Sequence, residues 1–379
     1  MFVSANSQQI QLSDQAQVSL LTCDVGDELY TLYGHSAIRV SDPKINLDYV
    51  YNWGMFDFND PDFNTKFLSG QLLYFMAKMH FSQFMFEYEQ SERSVSEQVL
   101  NLNPQQVQEM WFALEENALP ENKYYHYDFF YDNCSTKIPE LLKKVIGKDL
   151  SLGKHKDAND FSYRQLVNQR TTRIAWVGLG MDFIMGSSTD AIATNEGLTF
   201  LPIYLEEILD QSKINSNGVS EPFVKEKKQL VKGSKREASF SFSDPIFIFW
   251  MVLLVCLTLG IFRIRFLTYF WFGTILFLCS ALGIFLIWLI LNSDLTAFGN
   301  NYNLIWAHPL HLMIIVGLFS KKFGKRFERA YIYFSLFYLG VALFWIILPQ
   351  ELPSGFRPLI LSLTIVYYYL HRYHKTANG

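Results

Sequence analysis

Between residues 245 and 373 this chain almost stops using charge, in five apolar stretches: 245–262, 266–291, 304–319, 330–348 and 359–369. A helix needs roughly 20 apolar residues to cross the hydrocarbon core of a bilayer, and most of these stretches are near that length. Backbone amides find no water there, so only elements that satisfy them internally can form. The expectation is an all-α polytopic membrane domain of about five spans over residues 245–373, its third stretch extending back to 301 or 302. The overall totals, 32 basic against 36 acidic residues and a net charge of −4, hide this split. They show no basic stripe of the kind nucleic acids require, so a nucleic-acid partner is excluded.

The loops set an orientation. Arg263 and Arg265 follow the first stretch, Lys321, Lys322, Lys325, Arg326 and Arg329 the third, and Arg372 and Lys375 the fifth. The opposite loops hold Asp294, the sequence FGNN, Gln350, Glu351 and Arg357. Short loops rich in Lys and Arg stay cytoplasmic, so the front half is expected on the far side of the membrane. Lys225, Lys227, Lys228, Lys232, Lys235 and Arg236 oppose this, but long domains translocate largely regardless of charge. The opening MFVSANSQQ has neither a basic start nor an apolar run, whereas Ser4, Ala5 and Ser7 resemble residues near a cleavage site. An export signal is therefore expected to have been removed.

The front half reads as α+β over residues 12–211. VSLLTC, SAIRVS and LDYVYNWG have the alternation and β-branched or aromatic content of strands, with a turn at DPK, and ERSVSEQVL is a further strand. NPQQVQEMWFALEENAL is a helix with Asn103 as N-cap and Pro104 at its first position. STKIPELLKKVIG has helical spacing up to Gly147, with a kink or restart expected at Pro139. Short helices are expected at SYRQLVNQR and LPIYLEEILDQS. Residues 212–244, rich in Ser, Lys and Gly, read as a linker.

Two blocks carry chemistry. In YDFFYDNCSTKI, Cys134 follows Asn133, a good N-cap, and opens a helical pattern. A thiol at a helix N-terminus feels partial positive charge, which favours thiolate, and the local N–H can stabilise an oxyanion. In YGHSAIRV, His35 begins a strand behind Gly34, which permits close approach of another backbone or a substrate. An imidazole acting as base needs a third group to hold its ring. Asn52 in YVYNWG is the candidate, with Asp48 and Asp57 as alternatives, and Tyr131 is expected near the oxyanion. Of the four cysteines, Cys256 and Cys279 lie in spans as small apolar residues, while Cys23 and Cys134 share the exported half, where a disulfide is possible. The segment FLSGQLLYFMAKMHFSQFMFEYE is rich in Phe and Met and suits an acyl-chain groove or a membrane interface. Asn301, Asn303, Trp306, His308 and His311, in NNYNLIWAHPLHL, are expensive at a membrane boundary and are expected, with Ser36, to face substrate. Two imidazoles at i,i+3 without carboxylates or thiols are too few for a metal, and none is expected.

The blocks LLTCDVGDELYTLYGHSAIRV, YVYNWGMFDFNDPDFNTKFLSGQLLYFM and YHYDFFYDNCSTKI resemble the N-terminal periplasmic domain of Lnb, the lipoprotein N-acyltransferase family of Bacteroidota. NNYNLIWAHPLHL resembles its transmembrane region, and the likeness covers essentially the whole chain after the first dozen residues. The His-before-Cys order is similar to circularly permuted papain-like enzymes of the NlpC and lecithin-retinol acyltransferase type. The resemblance implies an inner-membrane enzyme whose periplasmic domain passes a fatty acyl chain from a phospholipid to the α-amino group of a diacylated lipoprotein. His35 and Cys134 match the family's catalytic positions, and no cofactor is implied because the donor is already an ester. The alternative reading is a membrane-tethered cysteine peptidase or amidase acting on cell-wall peptide.

Overall fold

The computed structural model of the chain describes residues 10–216, 218–234, 241–262 and 264–376. Ser4, Ala5 and Ser7 of the expected cleavage region, and the basic residues Lys235, Arg236 and Arg263, lie outside the described residues. The chain divides into two compact units, residues 1–161 with 192–236, and residues 162–191 with 237–379.

The elements run in the order β1 (Gln17–Cys23), β2 (His35–Asp42), β3 (Leu47–Met55), α1 (Phe63–Ser69), β4 (Leu73–His80), α2 (Phe81–Gln90), β5 (Val95–Leu100), α3 (Pro104–Asn117), β6 (Tyr124–His126), α4 (Lys137–Ile146) and β7 (Leu150–Ser151). Then come α5 (Tyr163–Thr171), α6 (Ala175–Ile184), α7 (Pro202–Asp210), β8 (Lys213–Ser216), β9 (Val219–Pro222) and β10 (Val224–Val231). The C-terminal helices are α8 (Pro245–Phe262), α9 (Arg265–Asn292), α10 (His311–Phe319), α11 (Lys321–Arg326), α12 (Glu328–Phe344) and α13 (Phe356–Thr376).

The first unit is mixed α/β. Its seven-stranded sheet has the order β10-β5-β1-β2-β3-β4-β6, with each pair antiparallel. Side chains alternate across a strand, so one face gathers Val18, Leu20, Ile38, Val40, Tyr51 and Trp53 with Met110, Leu114, Ile138 and Leu142 of α3 and α4. The other face gathers Leu21, Cys23, Ala37, Val50 and Val95 against Phe84, Met85 and Tyr88 of α2. The sheet is thus buried on both sides. The α3 N-terminus forms as its sequence predicts: Asn103 accepts from Gln106 N–H at 2.9 Å while Gln106 Oε1 accepts from Asn103 N–H at 3.0 Å. Pro139 causes no break, because α4 begins at Lys137 and the proline falls in the first turn, where no backbone donor is needed.

Two expectations are corrected. Residues 212–244 are not simply a linker: they contain β8 and β9, which pair with each other, and β10, which pairs with β5 at the sheet edge. Lys225, Lys227 and Lys228, which looked like linker charge, are residues of the edge strand β10, a use that keeps an open sheet edge soluble. Lys227 reaches Asp210 at 2.7 Å and Glu206 at 3.2 Å on α7. The boundary at 211 also moves, because residues 162–191 belong to the helical unit. Arg164 is fully buried there, bonding Asp190 at 2.9 Å, Asp182 at 3.2 Å and the carbonyls of Asp182, Met185 and Gly186. A buried guanidinium persists only when its donors are met, and this one ties its segment into a single folded piece.

The second unit is helical. Among the described residues, three helices are long and apolar enough to cross a membrane: Pro245–Phe262, Phe266–Asn292 and Glu328–Ile347. The stretch read as a third span is shorter than expected, because a turn ending at Pro309 leaves α10 only nine residues. The fifth, α13, has 21 residues but carries Arg357, His371, Arg372, His374 and Lys375. The core holds Phe272, Leu276, Leu286, Trp306, Tyr338 and Leu363, whereas Ile346 is 92% exposed and Phe266 79%. Large apolar side chains facing outward along helices are what hydrocarbon, rather than water, rewards.

Candidate active site

The local sequence builds the start of α4 around one side chain. Asp128 and Asp132 exchange backbone hydrogen bonds, and the Asp128 carboxylate accepts the N–H groups of Phe130 at 2.8 Å and Tyr131 at 3.0 Å. Asn133 then works in both directions. Its amide donates to the carbonyls of Phe129 and Phe200, each at 2.8 Å, and its oxygen accepts from Ser135 N–H at 2.7 Å and Thr136 N–H at 2.9 Å. That is N-capping of the turn leading into α4, and it delivers Cys134, buried, at the positive end of the helical segment.

His35 arrives from the sheet. Gly34 has φ +81°, and a Cβ there would stand 2.8 Å from the Cys23 carbonyl oxygen, so only glycine lets β2 begin this close to β1. Asn52 lies on the adjacent β3, just before its pairing with β4 shifts register between Asn52 and Met55. Gly54, inside that shift, has φ +88°. A Cβ on Gly54 would lie 3.6 Å from Cys134 Cβ and 3.9 Å from His35 Cε1, so the two side chains flank the same bare α-carbon. The neighbours join as well: the buried hydroxyls of Ser36 and Ser135 are 3.1 Å apart, tying β2 to the turn before α4.

Hydrogen bonding fixes the imidazole. Its Nε2 meets the side-chain oxygen of Asn52, while the Asn52 amide nitrogen points at Met55 Sδ at 3.4 Å. An amide oxygen only accepts, so Nε2 carries the proton and a neutral His35 keeps its lone pair on Nδ1. Burial holds the imidazolium down, to a pKa of about 4, against the pull of Asn52. Burial likewise pushes the Cys134 thiol up to about 11, although the N–H groups of Ser36, Cys134 and Ser135 favour the thiolate. At neutral pH the pair therefore rests as thiol and imidazole, with a proton available to one and a vacant lone pair on the other. Cys23 and Cys134 are both free thiols; Cys23 lies opposite His35 in the sheet, its own thiol pushed up to about 12 by burial.

The other expected site residues sort themselves. Asp48 is spent on Arg39, in two contacts of 2.8 Å, and Asp57 holds the turn at Asn59, which leaves Asn52 as the group on His35. Tyr131 is exposed, its ring against Phe130. The Phe- and Met-rich segment becomes the end of α1, then β4 and α2, with Met76, Phe84, Met85 and Tyr88 in the core. In the helical unit, Asn301 donates to the carbonyls of Phe183 at 2.8 Å and Ile184 at 3.0 Å, and Asn303 to Phe183 at 3.0 Å. They close the C-terminus of α6. Trp306 donates to Asn303 Oδ1 at 3.0 Å. His311 donates from Nε2 to the Trp306 carbonyl at 2.9 Å and accepts from Tyr367 at 2.8 Å. His308 stacks on His311 and bonds Tyr338 at 2.7 Å through Nε2, leaving its Nδ1 buried without a partner among the described residues.

Gly54 and Ser135 escaped the sequence reading, although a glycine closing the strand YVYNWG was a visible sign of a bulge.

Two family models match in the order in which the units follow each other. The Lnb N-terminal periplasmic domain matches residues 4–169, and the Lnb transmembrane domain matches residues 236–377. No curated protein and no solved structure matches the chain. With both models placed over most of its length, this membrane protein with a periplasmic domain belongs to the Lnb family.

Proposed function

We propose that the protein is a lipoprotein N-acyltransferase in which Cys134 is the nucleophile, His35 the base and Asn52 the group that positions the ring. The observation that carries this reading is the meeting of Cys134 and His35 around the bare α-carbon of Gly54, with Asn52 turning Nδ1 into the free base. The arrangement is the cysteine-helix and histidine-strand pairing of a circularly permuted papain-like enzyme.

The first half-reaction begins from the neutral pair. As Cys134 Sγ attacks the ester carbonyl of a phospholipid, its proton passes to His35 Nδ1. The oxyanion forms at the start of the turn capped by Asn133, where the Cys134 N–H is placed to donate to it. Collapse breaks the C–O bond, the leaving lysophospholipid alkoxide takes the proton from Nδ1, and a thioester remains on Cys134. In the second half-reaction the α-amine of a diacylated lipoprotein attacks the thioester and gives a proton to Nδ1. Collapse forms the amide and expels the Cys134 thiolate, which recovers that proton. An α-amine titrates at about 7.7–8.0, so a useful neutral fraction is present near pH 7.

Both substrates are confined to a bilayer, and the spans of the helical unit hold the enzyme in the inner membrane beside them. Confinement replaces a three-dimensional search with a pre-oriented encounter. The test uses the full chain in lipid nanodiscs. With phospholipid alone, intact-mass measurement should show the gain of one acyl chain on Cys134, and a reporter lipoprotein added later should leave with that chain on its N-terminal amine. Full activity in Cys134→Ala, or cleavage of cell-wall peptide with no acyl gain, would overturn the proposal.

A further inference from the structure

Aromatic rings lead outward from the Cys134–His35 pair. Phe56 and Phe58 follow Gly54 directly along the chain. Phe56 packs on Tyr74 of β4 at 5.3 Å between ring centres, and Tyr74 stacks on Tyr127 at 4.3 Å. In the other direction Phe56 meets Phe58 at 4.8 Å and Tyr30 at 5.9 Å, while Phe58 meets Phe63 of α1 at 5.3 Å. Tyr127 lies close enough to Cys134 that a thiolate there would raise its phenol further. Phe56 stands two residues beyond Gly54, whose bare α-carbon lies against Cys134 and His35, so the inner end of the array begins beside that pair. The outer end is not buried: Phe58 is 63% exposed and Tyr30 52%.

An aromatic core would close over itself, since exposed apolar area costs free energy in proportion to its size. These rings form one contiguous surface that opens at one end and touches the site at the other, which marks a place for an apolar ligand. We propose that this array is the binding track for one acyl chain of the phospholipid donor, with the ester at Cys134 and the chain running past Tyr74 and Phe56 to Tyr30 and Phe58. This inference rests on the acyl-transfer reading of the site and assigns that site its donor pocket.

The test separates the two. Full-length Cys134→Ala protein is placed in phosphatidylcholine nanodiscs containing a phosphatidylcholine with a photoactivatable acyl chain, then irradiated and mapped by peptide mass spectrometry. Cross-links should fall on residues 29–30 and 56–63. The added pair Tyr30→Ser and Phe58→Ser should cut their yield about tenfold, the scale of burying one large aromatic side chain. Labelling confined to the C-terminal helices, or a yield indifferent to the double substitution, would overturn the track. Acylation of Cys134 in the unaltered protein by a short water-soluble ester is read separately. Its failure would remove the reading of the site, while the cross-link map would still decide whether lipid binds the array.

Discussion

Both units bury polar side chains in apolar surroundings, yet they use them in opposite ways. In the helical unit Asn301, Asn303, Trp306 and His311 bond to one another and to the carbonyls ending α6, so their capacity is consumed internally. In the α/β unit His35 Nδ1 keeps its capacity and Cys134 its thiol proton, while the side chains that hold them are bonded: Asn133 to four backbone groups, Asn52 to Nε2, and Ser36 to Ser135. Cost alone does not identify a functional polar group in an apolar place. What identifies it is unused bonding capacity held still by neighbours that have none to spare.

Breaking the reactive side of this contrast should have the largest effect. His35→Gln removes the lone pair that accepts the thiol proton, and loss of a general base lowers the acylation rate by about 10²–10⁴-fold. The check is a single-turnover acylation assay on Cys134 alongside an unchanged near-ultraviolet circular dichroism spectrum. A rate within twofold of the unaltered protein would place the base elsewhere. On the other side, Asn301→Ala leaves the buried Asn303 N–H without its acceptor and the Ile184 carbonyl without its donor, at a cost of about 1–3 kcal/mol. It should lower the thermal midpoint and spare turnover per folded molecule. A raised KM for lipid with no loss of stability would restore Asn301 to the substrate and blunt the contrast. Asn52→Ala is milder: losing one hydrogen bond to a ring still held by packing costs about 1 kcal/mol, or roughly fivefold in the acylation rate.

How much of this the sequence disclosed depended on distance along the chain. Elements whose signals are local were readable: β1, β2, β3 and β5 from alternation, α3 from Asn103 and Pro104 at its start, and the turn before α4 from Asn133. Relations across the sheet were not. Nothing in the spacing of His35 and Cys134 says that they meet; that expectation came from family likeness, and its geometric basis is Gly54, whose missing side chain no periodicity reports. The segment holding β10 was misread because an edge strand rich in Lys has the composition of a linker. Asn301 and Asn303 were assigned to substrate because a sequence shows that a polar group is expensive and not which carbonyl satisfies it. Residues 162–191 went to the wrong unit for the same reason, since Arg164 finds its partners only after folding.

A last prediction tests whether the Cys134–His35 pair rests neutral, and it is a matter of sign. His35 has a folded pKa of about 4 against an ordinary 6.5, so between those values the unfolded chain binds a proton that the folded chain refuses. Stability is therefore complete above pH 6.5 and falls as the pH drops towards 4. Cys134 is shifted the other way, from 9.0 to about 11, so the unfolded chain releases its proton first and stability falls as the pH rises through that window. Denaturant midpoints measured from pH 4 to 11 should show both limbs. His35→Gln should flatten the acid limb alone and Cys134→Ala the alkaline limb alone. A resting thiolate–imidazolium pair would exchange the owners of the limbs: a lowered Cys134 pKa would cost stability as the pH falls below 9.0, and a raised His35 pKa would cost it as the pH rises above 6.5. The alkylation rate of Cys134 separates the same alternatives: a neutral thiol reacts faster as the pH climbs towards 11, whereas a preformed thiolate is already at its plateau near pH 7.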